Sequence, residues 1–108
     1  MKTRSRATLA RDGDTIFWVE DLVAESGARY RLKVVYPDRF PHERPKAFVV
    51  SPDVKGAPHR WGDGSLCLFG SGPTGVKTTA LVVRNRAVTW FLAYEFWKAT
   101  GKWMAPQH

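Results

Sequence analysis

The sequence is poor in the features that would mark several classes of protein. Its 108 residues include a single cysteine, Cys67, so no disulfide can form within the chain. No apolar run approaches the roughly 18 residues that a membrane span needs. The basic start, Met1 to Arg6, is not followed by an apolar segment with a small-residue cleavage site, so no secretory signal is visible. A lone thiol without an export signal predicts a cytoplasmic protein.

Acidic residues are also few relative to basic ones. Ten Asp and Glu stand against 17 Lys and Arg, which gives a formal net charge of +7. This surplus is compatible with a surface for nucleic acid or for an acidic partner, and equally with a charge that only keeps a small protein soluble. The 44% of hydrophobic residues can fill a core, which argues against disorder. The length predicts one domain, residues 1–108.

The first half of the chain has the pattern of short strands. Between residues 29 and 36, apolar residues alternate with mostly basic ones, which is typical of a strand with one buried face. Asp12-Gly13 and Ser26-Gly27 are turn signals that separate such runs. We predict four strands that form an antiparallel meander, at residues 7–11, 14–23, 29–36 and 46–51.

The end of the chain predicts one long helix over residues 80–100. Apolar residues recur there at intervals of three and four positions. Thr78 or Thr79 is suited to cap its start, and Gly101 its end. A helix with such a stripe must pack across the sheet, so the predicted fold class is α+β, one meander covered by one helix.

Residues 52–77 are dense in glycine and proline and cannot form one regular element. A loop of this length inside a compact domain usually has a functional reason. On the residues alone, Cys67 between Leu66 and Leu68 is either a buried structural cysteine or a reactive one. Lys55, His59, Arg60 and Lys77 lie in the same loop and predict a positive field around the thiol.

Two segments resemble motifs of the ubiquitin-conjugating enzyme superfamily. Residues 36–45 follow its aromatic-Pro-x-x-aromatic-Pro-x-x-Pro-Pro passage, with Arg44 in place of the first proline of the final pair. Residues 64–68 are similar to its Gly-x-Ile/Leu-Cys-Leu motif, and His59 resembles the histidine of its His-Pro-Asn tripeptide. The order of these segments and of the predicted elements agrees over residues 7–101, so the resemblance implies a fold of the ubiquitin-conjugating type.

The resemblance implies that Cys67 is the nucleophile that forms a thioester. His59 then braces the loop or supports the oxyanion. Asp63 either orients and deprotonates an incoming lysine or only forms an Asp-Gly turn ahead of Ser65. Main-chain N–H groups near His59, Ser65 and Cys67 are the candidate oxyanion donors. Trp61 and Trp103 either cover the groove or pack against the fold, and packing is the expectation.

The chain departs from the superfamily in two places. Arg60 and Trp61 follow His59 instead of Pro and Asn, and the only asparagine, Asn85, falls in the predicted helix. The residues before the first predicted strand leave no room for the family's first helix, which we expect to be missing. Residues 90–103 resemble the ending of prokaryotic members, several of which are encoded in anti-phage defence operons with cyclic-oligonucleotide synthases (CBASS).

These likenesses imply a conjugating-like acyltransferase of bacterial defence. Its partners would be an activating enzyme and an acyl donor with a C-terminal tail, either a ubiquitin-like protein or a cyclic-oligonucleotide synthase. We expect no cofactor, no metal site and no membrane partner, because the His and Cys residues lack ligand spacing and residues 70–75 lack the Lys-Ser/Thr of a phosphate loop. The alternatives are a non-catalytic adaptor of the same fold and, less favoured, a basic nucleic-acid-binding domain.

Overall fold

Alternating polar and apolar residues build an antiparallel sheet. In the computed structural model, which describes residues 2–3, 7–38, 44–54, 56–68 and 79–103, the strands are β1 (Lys2–Thr3), β2 (Thr8–Asp12), β3 (Thr15–Val23), β4 (Arg29–Val35) and β5 (Lys46–Ser51). All of their pairings are antiparallel. The four predicted strands are therefore confirmed, with ends that differ by one residue at most.

The predicted four-stranded meander is wrong in one respect, because the sheet has a fifth strand. Both β1 and β2 pair with β3, β1 with its C-terminal end and β2 with its N-terminal half. Two residues are too few for an alternating pattern to appear in a sequence. The contacts that hold β1 come from distant parts of the chain, since the Thr3 hydroxyl bonds to Glu20 and Arg84.

The single helix of the described residues, α1 (Ala80–Thr100), has the predicted bounds and caps. The Thr79 side chain accepts a hydrogen bond from the Val82 N–H at 3.2 Å, which satisfies one of the open donors of the first turn. Gly101 takes the left-handed conformation, with φ 79°, and donates its N–H to the Trp97 carbonyl at 2.7 Å. No helix in the part of the chain that the structure describes is long and apolar enough to cross a membrane.

The core lies between α1 and one face of the sheet. Tyr30 of β4 stacks on Phe91 of α1, with ring centroids 4.4 Å apart. Leu22, Leu32 and Val34 complete the sheet side of this layer, and all are at most 1% exposed. The opposite face of β4 carries Arg29 and Arg31, which are exposed, as the alternating pattern predicts.

A buried ion pair joins three elements near the start of α1. Two nitrogens of the Arg84 guanidinium donate to the two oxygens of the Glu20 carboxylate, at 3.0 and 2.9 Å, and Thr3 donates to the same carboxylate at 2.6 Å. Burial acts to raise the pKa of Glu20, but these hydrogen bonds and the charge of Arg84 outweigh it. The pKa of Glu20 therefore lies below its ordinary value of 4.5.

We expect Glu20→Gln to lower the free energy of unfolding at pH 7 by about 2–4 kcal/mol, because it leaves a largely buried guanidinium without its counter-charge. The lowered pKa of Glu20 contributes to the free energy of unfolding in full above pH 4.5. This contribution is lost as the pH falls through the pKa of Glu20 in the folded protein. The difference in the free energy of unfolding between wild type and Glu20→Gln, measured by urea denaturation, should therefore be smaller at pH 3 than at pH 7.

The control is Arg31→Ala, which removes the solvent-exposed pair with Asp21 on the other face of the sheet. Exposed pairs of this kind contribute less than about 1 kcal/mol. An equal loss of stability in Glu20→Gln and Arg31→Ala would contradict the account of the buried pair.

Candidate active site around Cys67

A short hairpin carries the cysteine. The Cys67 N–H donates to the His59 carbonyl at 2.8 Å, and the Trp61 N–H donates to the Ser65 carbonyl at 2.9 Å. These two bonds flank an antiparallel bridge between Arg60 and Leu66. Cys67 therefore sits on a paired segment and not on an irregular loop.

The hairpin is attached to both layers of the fold. The Leu66 N–H donates to the carbonyl of Ala47 in β5 at 2.9 Å, so the cysteine-bearing segment lies along the edge of the sheet. The indole Nε1 of Trp90, in α1, donates to the His59 carbonyl at 3.1 Å. Leu66 and Leu68, on either side of the thiol, are only 4% and 6% exposed.

His59 is bonded to this hairpin and to α1 through its main chain. Its carbonyl accepts hydrogen bonds from both Cys67 and Trp90. Its φ of 59° is unusual for a residue other than glycine, and such a conformation persists only where the surroundings hold it. The imidazole ring lies against the indole of Trp103, with centroids 4.9 Å apart. The brace and the support of the oxyanion that the resemblance implies for His59 both stay predictions.

Asp63 and Ser65 form the turn at the tip of the hairpin. One carboxylate oxygen of Asp63 accepts the Ser65 N–H at 2.9 Å and the Ser65 hydroxyl at 2.6 Å, and the other accepts Lys46 Nζ at 2.8 Å. The bonds from Lys46 and Ser65 hold the pKa of Asp63 far below its ordinary value. Asp63 is thus an ionised anchor of the turn, and its action on an incoming lysine stays a prediction.

The thiol of Cys67 is half-buried, and burial raises its pKa above the ordinary value. The predicted positive field does not reverse this shift. Of the four residues assigned to that field, Lys55 and Lys77 lie outside the described residues. Arg60 is half-buried, and its Nε is buried without a hydrogen-bond partner among the described residues.

Two features of the site were not predicted from the sequence. The sequence pattern indicates Lys46 only as the first residue of a strand, although its Nζ binds Asp63, 17 residues later in the chain. The same pattern indicates Trp90 only as an apolar residue of the helix, and a buried indole N–H generally finds a partner, here the His59 carbonyl. Trp103 packs against Trp90 and His59, as expected. The expectation that Trp61 packs is wrong, because this residue is 51% exposed.

No three acidic, histidine or cysteine residues of the described ranges come close enough together to hold a metal ion. The carboxylate of Asp63, on the same hairpin as Cys67, is bonded to Lys46 and Ser65. The middle of the proline-rich passage, residues 39–43, and the glycine-rich run 70–75 lie outside the described residues.

Comparison with known proteins assigns this chain to a family. The family model described as "Type II CBASS E2 protein" matches residues 1–108. The chain belongs to this family. The name of the CBASS E2 family indicates an E2-like role in anti-phage defence and partners within a CBASS system. Neither the search of curated proteins nor that of solved structures gave a match.

The raised pKa predicts that the Cys67 thiol of this CBASS E2 protein reacts slowly at neutral pH. Alkylation by iodoacetamide requires the thiolate, so its rate should rise with pH and reach half its maximum above the ordinary thiol pKa of about 8.5. Mass spectrometry of the intact protein gives the rate, since Cys67 is the only cysteine.

The same protein unfolded in urea serves as the control, because its thiol has no burial to raise its pKa. We expect the midpoint of the folded protein to lie at a higher pH than that of the unfolded chain. A midpoint near pH 7 in the folded state would show that cations around the hairpin outweigh burial.

Proposed function

We propose that this CBASS E2 protein carries an acyl group as a thioester on Cys67 and transfers it to an amine or another nucleophile. The observation that supports this most is the placement of the cysteine on a hairpin fixed to both the sheet edge and the helix. A structural cysteine needs only a buried position, whereas the Cys67 side chain retains access to solvent.

In the first step, the Cys67 thiolate attacks the carbonyl carbon of an acyl group that an activating enzyme presents as a thioester. A tetrahedral oxyanion forms, the activating enzyme's thiolate leaves, and it takes up the proton that Cys67 lost. In the second step, the lone pair of an amine attacks the new thioester. The Cys67 sulfur then leaves as thiolate, and the amine loses a proton, so the products are an amide and the regenerated enzyme.

The high pKa of Cys67 suits the storage of an acyl group between these two steps. A thiol of higher pKa is a stronger nucleophile once it is ionised and a poorer leaving group when it is displaced. The thioester on Cys67 therefore resists spontaneous loss. Its formation, in turn, depends on a donor that arrives already activated.

The hydrogen bonds of the hairpin restrict where the oxyanion finds its donors. The N–H groups of five hairpin residues are already engaged with main-chain or carboxylate oxygens: Trp61, Gly64, Ser65, Leu66 and Cys67. The expectation that the N–H groups of Ser65 and Cys67 serve the oxyanion therefore loses support. Of the predicted candidates within the hairpin, the imidazole of His59 is the one that we propose.

We further propose that the acyl group comes from the C-terminal tail of a protein of the same CBASS system, either a cyclic-oligonucleotide synthase or a ubiquitin-like protein. An activating enzyme delivers it, in the cytoplasm. A role of the +7 charge in binding nucleic acid is the less favoured alternative.

Incubation with a synthetic peptide thioester tests this function without the activating enzyme. The peptide carries the last ten residues of the synthase from the same defence system. We expect wild type to gain the mass of the peptide acyl group in an adduct that dithiothreitol removes, and Cys67→Ala to gain nothing. Cys67→Ser should give, more slowly, an ester that survives dithiothreitol, because an oxygen ester does not exchange with thiols.

Circular dichroism and thermal unfolding of the two Cys67 variants control for loss of the fold. An adduct of the same mass on Cys67→Ala would overturn the assignment of the nucleophile. If folded wild type forms no adduct, the chain is the non-catalytic adaptor, an alternative that the absence of an asparagine two residues after His59 favours.

A further inference from the structure

The tip of the cysteine hairpin presents an aromatic side chain to solvent. Trp61 is 51% exposed, although tryptophan is among the residues with the most apolar surface to bury. Its main chain, by contrast, is fully engaged, since its N–H donates to Ser65 and its carbonyl accepts the Gly64 N–H at 3.0 Å. Trp61 is therefore held at a fixed place in the fold while its indole remains largely uncovered.

The tip has little freedom to relax around this indole. Gly64 adopts φ 91°, a conformation that closes the tight turn and that other residues rarely take. The Asp63 carboxylate ties the turn to Ser65 and to Lys46 of β5. A rigid exposed aromatic residue loses little entropy when it binds a partner, which is why tryptophan recurs at binding hot spots.

The register of the hairpin relates Trp61 to the thiol. Arg60 and Leu66 face each other, so the register of the hairpin pairs Trp61 with Ser65 and Cys67 with His59. Trp61 and Cys67 are therefore diagonal positions across the hairpin, and such positions lie about 7–8 Å apart. An extended peptide advances about 3.3 Å per residue, so this spacing equals about two residues of extended chain.

We propose that Trp61 is the platform on which the C-terminal tail of the acyl donor lies, with the second or third residue from its end over the indole while its terminal carbonyl reaches Cys67. This inference rests on the proposed function, since it concerns the donor of the same thioester. The tail that fits is extended and uncharged next to its end, because an indole face binds peptide planes and apolar side chains. Trp61 is thus a positioning residue for the donor.

The exposure of Trp61 argues against a role as oxyanion donor. A donor stabilises developing charge strongly only where water is excluded, and this side chain is half in solvent. An uncovered apolar surface, on the other hand, gains from contact with a tail. Trp61→Phe, which removes the N–H but keeps an aromatic ring, should therefore slow the loading of Cys67 less than Trp61→Ala, which removes the ring.

The kinetic test compares the loading of Cys67 by the ten-residue peptide thioester in the two Trp61 variants. We expect Trp61→Ala to lower the second-order rate constant at least about tenfold through a higher KM, as hot-spot truncations do, and Trp61→Phe to stay within about threefold of wild type. The rate of Cys67 alkylation by iodoacetamide should be unchanged in both. Phe96→Ala, which removes a 40% exposed aromatic residue from α1, is the matched control and should load like wild type.

A binding test does not depend on the thioester chemistry. The unactivated ten-residue peptide, with a free carboxylate, is added to Cys67→Ala protein labelled with nitrogen-15. The indole N–H signal of Trp61, identified by its absence from a Cys67→Ala, Trp61→Phe protein, should shift. Cys67→Ala, Trp61→Ala should bind the peptide at least about tenfold more weakly.

The outcomes separate this inference from the proposed function. Binding through Trp61 without any adduct in wild type would support the platform and refute the thioester. An adduct that forms equally fast in Trp61→Ala, or peptide binding that does not involve the Trp61 signal, would overturn the platform and leave the thioester intact. Two further outcomes would overturn the platform. An equal loss of the loading rate in Trp61→Phe and Trp61→Ala would indicate that the indole N–H is the group that acts. A parallel loss of the rate of Cys67 alkylation would indicate that Trp61 has a structural role.

Discussion

The carbonyl oxygen of His59 is the point on which the geometry around Cys67 depends. It accepts the Cys67 N–H from within the hairpin and the Trp90 indole N–H from the helix. A carbonyl has two lone pairs, so one atom can serve both donors. The main chain of His59 is in the left-handed conformation, and its ring lies against the indole of Trp103 at a tilt of 40°. The position of the thiol relative to the core is therefore set by this carbonyl together with the hydrogen bond from Leu66 to Ala47 of β5.

The same bonding makes the hairpin rigid and poor in donors. Most of its described main-chain N–H groups donate to carbonyls within the hairpin, to a carbonyl of β5 or to the Asp63 carboxylate. Few of them are therefore open to a charged intermediate. Burial also raises the pKa of Cys67. Both properties favour a site that stores an acyl group over one that turns it over rapidly. Acceleration of the transfer would then depend on groups that the partner or the acceptor brings.

Most of the fold could be predicted from the sequence, because local patterns determine it. Alternation located β4 and its buried face, and the caps at Thr79 and Gly101 located the helix. The strand β1 and the buried pair of Glu20 with Arg84 could not be predicted, since both depend on contacts between residues far apart in the chain. For the site, the motif located Cys67 in a loop, but the hairpin that carries it could not be predicted, because glycine and proline hide any alternating pattern in residues 52–77. The bonds of Asp63 to Lys46 and of His59 to Trp90 required the register of the sheet and the position of the helix.

The departure of this chain from the conjugating-enzyme pattern is concentrated at the most exposed part of the site. Trp61 occupies the third position of the tripeptide that begins at His59, where the resembled superfamily has asparagine. An asparagine there offers a polar group to the loop or to the oxyanion, whereas an indole that is half in solvent offers an apolar surface. The proposed platform for the donor tail therefore stands at the position where the superfamily has a polar side chain. That position lies on the same hairpin as Cys67, so the proposal links the departure from the superfamily motif to the choice of the acyl donor.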